Sequence, residues 1–154
     1  MHNGVRFAKL PKELLTWNDH AQRLSRTHAN YSVDAFFTTK AKWIAAWYER
    51  KFQAPSGSPP DGRGENRPVI IAGTSALCSD RARKLEAEGM RIEAFTDVRK
   101  REVPGYRFIA HDALPSRGEA LIISFISQRG SGNRIAAYLA SRGLVEGEDF
   151  ILAA

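Results

Sequence analysis

Pro68-Val69-Ile70-Ile71-Ala72-Gly73-Thr74-Ser75-Ala76-Leu77-Cys78 decides the fold. The run from Pro68 to Ala72 is apolar throughout, without the alternation that marks a strand with one wet face. Such a strand is covered on both sides, which is the condition of a parallel sheet between helices. Gly73 ends it with a tight turn, and Ser75 to Glu88 reads as an amphipathic helix closed by Gly89 at the C′ position. The same alternation continues downstream. Arg91 to Thr96 is a strand ending at Asp97, Tyr106 to Ala110 a short strand, and His111 to Leu114 at most one helical turn. Leu121 to Phe125 is a third buried strand. Gly132 to Arg142 is a helix stopped by Gly143, and Asp149 to Leu152 a final strand. Strands alternating with helices, joined by right-handed crossovers, predict an α/β fold: a small Rossmann-like three-layer unit with a mainly parallel sheet over residues 68–154.

A dinucleotide fingerprint places glycines at the first, third and sixth positions of the turn after the first strand. Here Gly73 holds the first, and Ser75 and Cys78 stand at the other two. A serine side chain narrows the approach that a pyrophosphate needs, although the helix start still offers N–H groups to an anion. Asp97, at the end of the second strand, stands where an acid would meet a ribose hydroxyl. A second glycine-bearing turn, Gln128-Arg129-Gly130-Ser131-Gly132-Asn133-Arg134, follows the third buried strand and would share the same sheet edge. Gly73, Thr74, Ser75, Asp97 and Arg129 are therefore the candidates for holding a nucleotide or another anion. The alternative for each turn is a purely structural strand-to-helix connection. With the fingerprint broken and no catalytic pair in view, an oxidoreductase is disfavoured.

Residues 53–67 read Gln-Ala-Pro-Ser-Gly-Ser-Pro-Pro-Asp-Gly-Arg-Gly-Glu-Asn-Arg, a linker rich in Pro and Gly with no apolar residue larger than Ala54. Residues 1–52 precede it as a separate unit. Val5 to Leu10 and Leu14 to Trp17 read as two short strands around Pro11-Lys12-Glu13. Tyr31 to Phe52 reads as one helix capped by Asn30 or Ser32. Phe36, Phe37, Ile44, Trp47 and Tyr48 recur at helical spacing and form an aromatic stripe. A hairpin and one helix cannot bury that stripe. It must pack on the second unit, on another chain, or on a partner.

With 154 residues, 43% hydrophobic and 26% charged, the composition is that of a globular chain, and no apolar run is long enough for a bilayer. The absence of a signal-like opening predicts a cytoplasmic protein, with membrane-peripheral placement left open by a net charge of +6. Nucleic acid is an unlikely partner, because the basic residues are dispersed and the aromatics fall at core spacing. The single cysteine, Cys78, excludes an internal disulfide and reads as a small buried residue on a helix.

One block is richer in functional side chains than a connecting loop requires. Residues 14–28, Leu-Leu-Thr-Trp-Asn-Asp-His-Ala-Gln-Arg-Leu-Ser-Arg-Thr-His, carry Trp17, Asp19, His20, Arg23 and Arg26. This run resembles the late tryptophan/histidine motif of bacterial family 2 glycosyltransferases. The later segments His111-Asp112-Ala113-Leu114-Pro115 and Leu139 to Phe150 resemble the Rossmann-like appendage of some of its members. Asn18 stands where those relatives often have Arg, and the Gly73 loop is reduced.

The resemblance implies a C-terminal part of a sugar transferase, inactive alone because no Asp-x-Asp metal motif or catalytic base accompanies it. It further implies that Arg23 and Arg26 flank a donor diphosphate and that His20 approaches a divalent metal supplied with a catalytic core. His2, His28 and His111 have no partners at suggestive spacing. Two other readings stand beside it. One is a self-standing module that binds a nucleotide, nucleotide-sugar or anion. The other is an interaction module that self-associates through the aromatic helix.

Overall fold

The protein was analysed as a computed structural model that describes residues 32–52, 67–128 and 130–154. The expected strand pair in residues 5–17, the block 14–28 and the linker up to residue 66 lie outside the described residues.

The described chain opens with a helix, α1 (Val33–Phe52). Ser32 caps it: its Oγ accepts from Ala35 N at 3.1 Å, which satisfies a first-turn donor. Then follow β1 (Val69–Ala72), α2 (Ala76–Ala87), β2 (Ile92–Asp97), β3 (Arg107–Ala110), a 3₁₀ turn (His111–Ala113), β4 (Leu121–Ser124), α3 (Ser131–Ser141) and β5 (Phe150–Leu152). The five strands form one sheet in the order β3-β2-β1-β4-β5, and every neighbouring pair is parallel. The Rossmann-like expectation holds, with a sheet that is wholly parallel.

Both long crossovers end as their glycines foretell. After α2, Gly89 N donates to Glu86 O at 2.9 Å and Met90 N to Leu85 O at 3.1 Å. After α3, Gly143 N donates to Ala140 O at 2.9 Å and Leu144 N to Leu139 O at 3.2 Å. Each pair is a Schellman closure, with the glycine at positive φ (+88° and +80°) and a buried residue directly after it.

The sheet divides two cores. On one face Val69, Ile71, Leu121 and Ile123 meet Cys78, Ala82 and Leu85 of α2 together with Phe37, Ala41, Ile44, Tyr48 and Phe52 of α1. On the other, Ile70, Ala72, Ala94 and Ile122 meet Ile135 and Leu139 of α3. The aromatic helix is thus covered by the chain's own sheet and α2. Tyr48 Oη also donates to Arg67 O at 2.5 Å, fixing the far end of α1 to the entry of β1. The stripe itself shifts by a residue. Phe37 is buried, Phe36 is 57% exposed and Trp47 is only half-buried, packed edge-on against Phe52. Ala41 and Ala45 complete the buried face, because small residues allow α1 to lie close over α2. No helix among the described residues is long and apolar enough to cross a membrane.

Candidate ligand-binding site

β1 and β4 are neighbours in the sheet, yet the chain leaves β1 for α2 on one face and leaves β4 for α3 on the other. Between the carboxyl ends of two such strands the departing segments diverge and leave a crevice, the usual ligand position in open α/β sheets.

The turn after β1 is fastened to the end of β2. Gly73 N donates to Thr96 O at 2.8 Å, while Thr74 N and Thr74 Oγ1 both donate to Asp97 Oδ2, at 3.0 and 2.8 Å. Asp97 Oδ1 takes a longer bond from Arg99 N at 3.4 Å. Burial alone would raise the Asp97 carboxyl. The donors from the Thr74 side chain and backbone, with the Arg99 and Val98 amides, outweigh it and hold the group below the ordinary carboxylate value. Ser75 is the N-cap of α2, its Oγ accepting from Cys78 N at 3.3 Å and lying 3.2 Å from Cys78 Sγ. Gly73 has φ +113°, and a Cβ built there would fall 2.6 Å from Cys78 Sγ and 3.2 Å from Ile126 Cγ1. Only glycine fits that turn.

Beside this turn, on the α3 side of the sheet, lies an open cleft of about 530 Å³. Its size is within the ~300–1,000 Å³ range usual for small-molecule sites. Val98, Ile126, Ile135 and Tyr138 give it apolar walls; Thr96, Asp97, His111, Gln128, Ser131 and Arg134 supply polar groups. Thr96 is fully buried, and its Oγ1 lies 3.4 Å from His111 Nδ1. The His111 ring packs on Tyr138 with centroids 4.6 Å apart, and Tyr138 Oη donates to His111 O at 2.7 Å. Arg142 clasps the same turn through the carbonyls of Asp112 (2.9 Å) and Leu114 (3.2 Å). Burial lowers the His111 pKa below the ordinary value, with Arg142 adding to the effect and Asp97 and Asp112 opposing it. His111 is therefore mostly neutral at pH 7, and Arg134 is the cation among the described lining residues. Arg134 Nη2 reaches Ser131 Oγ at 3.4 Å, so the charge stands at the α3 wall.

The structure brings Gly73, Thr74, Ser75 and Asp97 together at one sheet edge, although only Asp97 of these lines the cleft. Arg129 lies outside the described residues, as do Trp17, Asp19, His20, Arg23 and Arg26. Among the described residues no group of three or more His, Cys, Asp or Glu is placed to hold a metal ion. His111, partnerless in the sequence, gains Thr96 and Tyr138, 15 and 27 residues away. Sequence reasoning missed Tyr138 and Ile135 as site residues. The signal was present: Ser131, Arg134 or Ile135, and Tyr138 recur on one face of the helix after the second glycine turn.

No family model and no curated protein matches this chain. Among solved structures it is similar to an NADPH-dependent glyoxylate/hydroxypyruvate reductase from Sinorhizobium meliloti in its apo form, at 22% identity and a TM-score of 0.44. The match covers 80% of this chain and 56% of the reductase, so this chain spans little more than half of that protein's length. A likeness this distant transfers no activity.

The glycosyltransferase reading of the sequence is corrected by these findings: no model or curated member of such a family matches, and the structure found is a reductase. The aromatic helix, for which the sequence left the second unit, another chain or a partner open, is packed on the chain's own sheet.

Proposed function

We propose that this chain is a Rossmann-like ligand-binding module whose site is the cleft beside the β1/β4 switch point, and that its ligand is of the nucleotide class. The observation that carries the reading is the cleft itself. It combines apolar walls able to hold a flat ring with convergent polar groups from β2, the 3₁₀ turn and α3, at the carboxyl edge where parallel sheets bind ligands. The test is a thermal-shift and isothermal-titration panel of mononucleotides and dinucleotides on the purified chain, with Val98→Trp as the variant. Val98 is 84% exposed at the cleft rim, so a tryptophan there obstructs the site without entering a core. A rise in Tm that the variant abolishes is the expected result. If millimolar nucleotide leaves both Tm and heat unchanged, the reading fails.

One observation favours interaction as a second role. Val33, Phe36 and Trp43 are 67%, 57% and 68% exposed along one side of α1. Trp43, not the half-buried Trp47, is the residue to test: Trp43→Asp should abolish any concentration-dependent dimer in sedimentation. A wild type that stays monomeric at high concentration removes this role.

A further inference from the structure

Resting on the nucleotide reading above, we infer that the cleft selects a mononucleotide, a nucleoside carrying its phosphate at the α3 wall, and rejects dinucleotides.

A dinucleotide held across such a sheet needs two things from the chain: backbone N–H groups after β1 for the pyrophosphate, and a free carboxylate after β2 for the ribose diol. In this protein part of each is already committed. The Gly73 amide is bonded to Thr96 O, the Thr74 amide to Asp97 Oδ2 and the Cys78 amide to Ser75 Oγ. Asp97 Oδ2 also takes the Thr74 hydroxyl, and Oδ1 faces the Arg99 amide. Without displacing the Thr74 clamp between the β1 turn and β2, a diol could reach only Oδ1 of that carboxylate. Steric closure adds to this. Ser75 replaces the glycine over which a pyrophosphate would pass, and Cys78 Sγ fills the space against Gly73.

The cleft lies beside that turn but is built from other segments. None of residues 73–78 lines it; its walls come from β2, the 3₁₀ turn, the segment after β4 and α3. Ile126, Ile135 and Tyr138 form its apolar side, and Gln128 offers an amide suited to a base edge or a sugar. Arg134, beside the Ser131 hydroxyl, supplies the positive charge. A guanidinium paired with a nearby hydroxyl suits one phosphate monoester. The neutral His111 ring adds no second cation.

Titration of AMP, GMP, CMP and UMP against NADH and NADPH tests this, with Arg134→Ala and amide chemical shifts as second readouts. At least one mononucleotide should bind tighter than either dinucleotide, shift the amides of residues 97–98, 111 and 126–138 more than those of 73–77, and lose roughly tenfold in affinity on Arg134→Ala. Arg134 is exposed, so the variant keeps the fold. Dinucleotides binding tenfold or more tightly than every mononucleotide overturn this inference and leave the nucleotide reading intact. Mononucleotide binding indifferent to Arg134→Ala overturns the phosphate placement. Binding of neither class removes both the inference and the reading beneath it.

Discussion

Gly73 shows how one residue carries two constraints. Its φ of +113° is a glycine conformation, and its missing side chain is the space that Cys78 Sγ occupies. Gly73→Ala should cost about 1–3 kcal/mol from backbone strain and more from the clash. Cys78→Ala should relieve only the clash. In urea titrations the double variant should then be less destabilised than the two single variants summed.

His111 and Asp97 predict two successive steps on the acid side of the pH profile. A histidine whose folded pKa is lowered leaves the unfolded chain binding more protons, so stability falls as pH drops below about 6.5 and levels off under the folded value. His111→Gln should flatten that part of the Tm curve. Asp97, lowered in the fold, contributes stability that is present above its unfolded value of about 3.9 and is lost as pH falls through the folded one. Asp97→Ala should cost about 1–2 kcal/mol at pH 7, and progressively less as pH falls below the unfolded value of about 3.9, measured by denaturation across that range.

At the scale of elements, α1 is held by an arrangement that no single stretch of sequence announces. Arg81 of α2 is 5% exposed and its guanidinium carbon lies 3.5 Å from the centre of the Phe37 ring. Its Nη1 donates to Phe125 O at 3.0 Å, and its Nε has no partner. Burial lowers the Arg81 pKa, only partly offset by Cys78 and Asp80. A buried cation with an unsatisfied nitrogen stabilises weakly, whereas the ring beside it fills the helix contact. Arg81→Met should therefore leave stability within about 1 kcal/mol of wild type or raise it. Phe37→Ala should cost about 3–5 kcal/mol, because it opens a cavity and uncovers the charge. Equal losses in denaturant titrations would show that the arginine holds α1 as firmly as the ring does.

At the other edge of the sheet Asp149 is 2% exposed and accepts from Gly118 N and Val145 N, both at 2.9 Å. It stands 3.5 Å from Arg67 and 3.7 Å from Arg117, a structural knot among the entries to β1, β4 and β5.

For the whole molecule, the shared core of α1 and the sheet predicts one unfolding transition in calorimetry, with no separate melting of residues 33–52. The two ends of the 53–66 segment lie close: Arg67 stacks on Phe52 with its guanidinium carbon 4.8 Å from the ring centre. Replacing that segment by a Gly/Ser linker of half its length should change stability by less than about 1 kcal/mol, since loop closure depends only weakly on length.

Much of this was legible without coordinates. Apolar runs at Val69 to Ala72 and Leu121 to Ile123, with glycines at 89 and 143, mark buried strands and helix stops through local sterics alone. The pairing of Asp97 with Thr74 was half legible, since each stood at a strand end. The His111–Tyr138 contact and the α3 wall were not. The sugar-transferase likeness misled because short motifs in order constrain a fold more than an activity. Backbone sterics and hydrophobic periodicity act over a few residues, so the amino-acid order alone determined the helices, the strands and their parallel character. Which groups face the cleft, and which donors Asp97 already satisfies, depends on segments brought together across the sheet, and only the tertiary structure decided it.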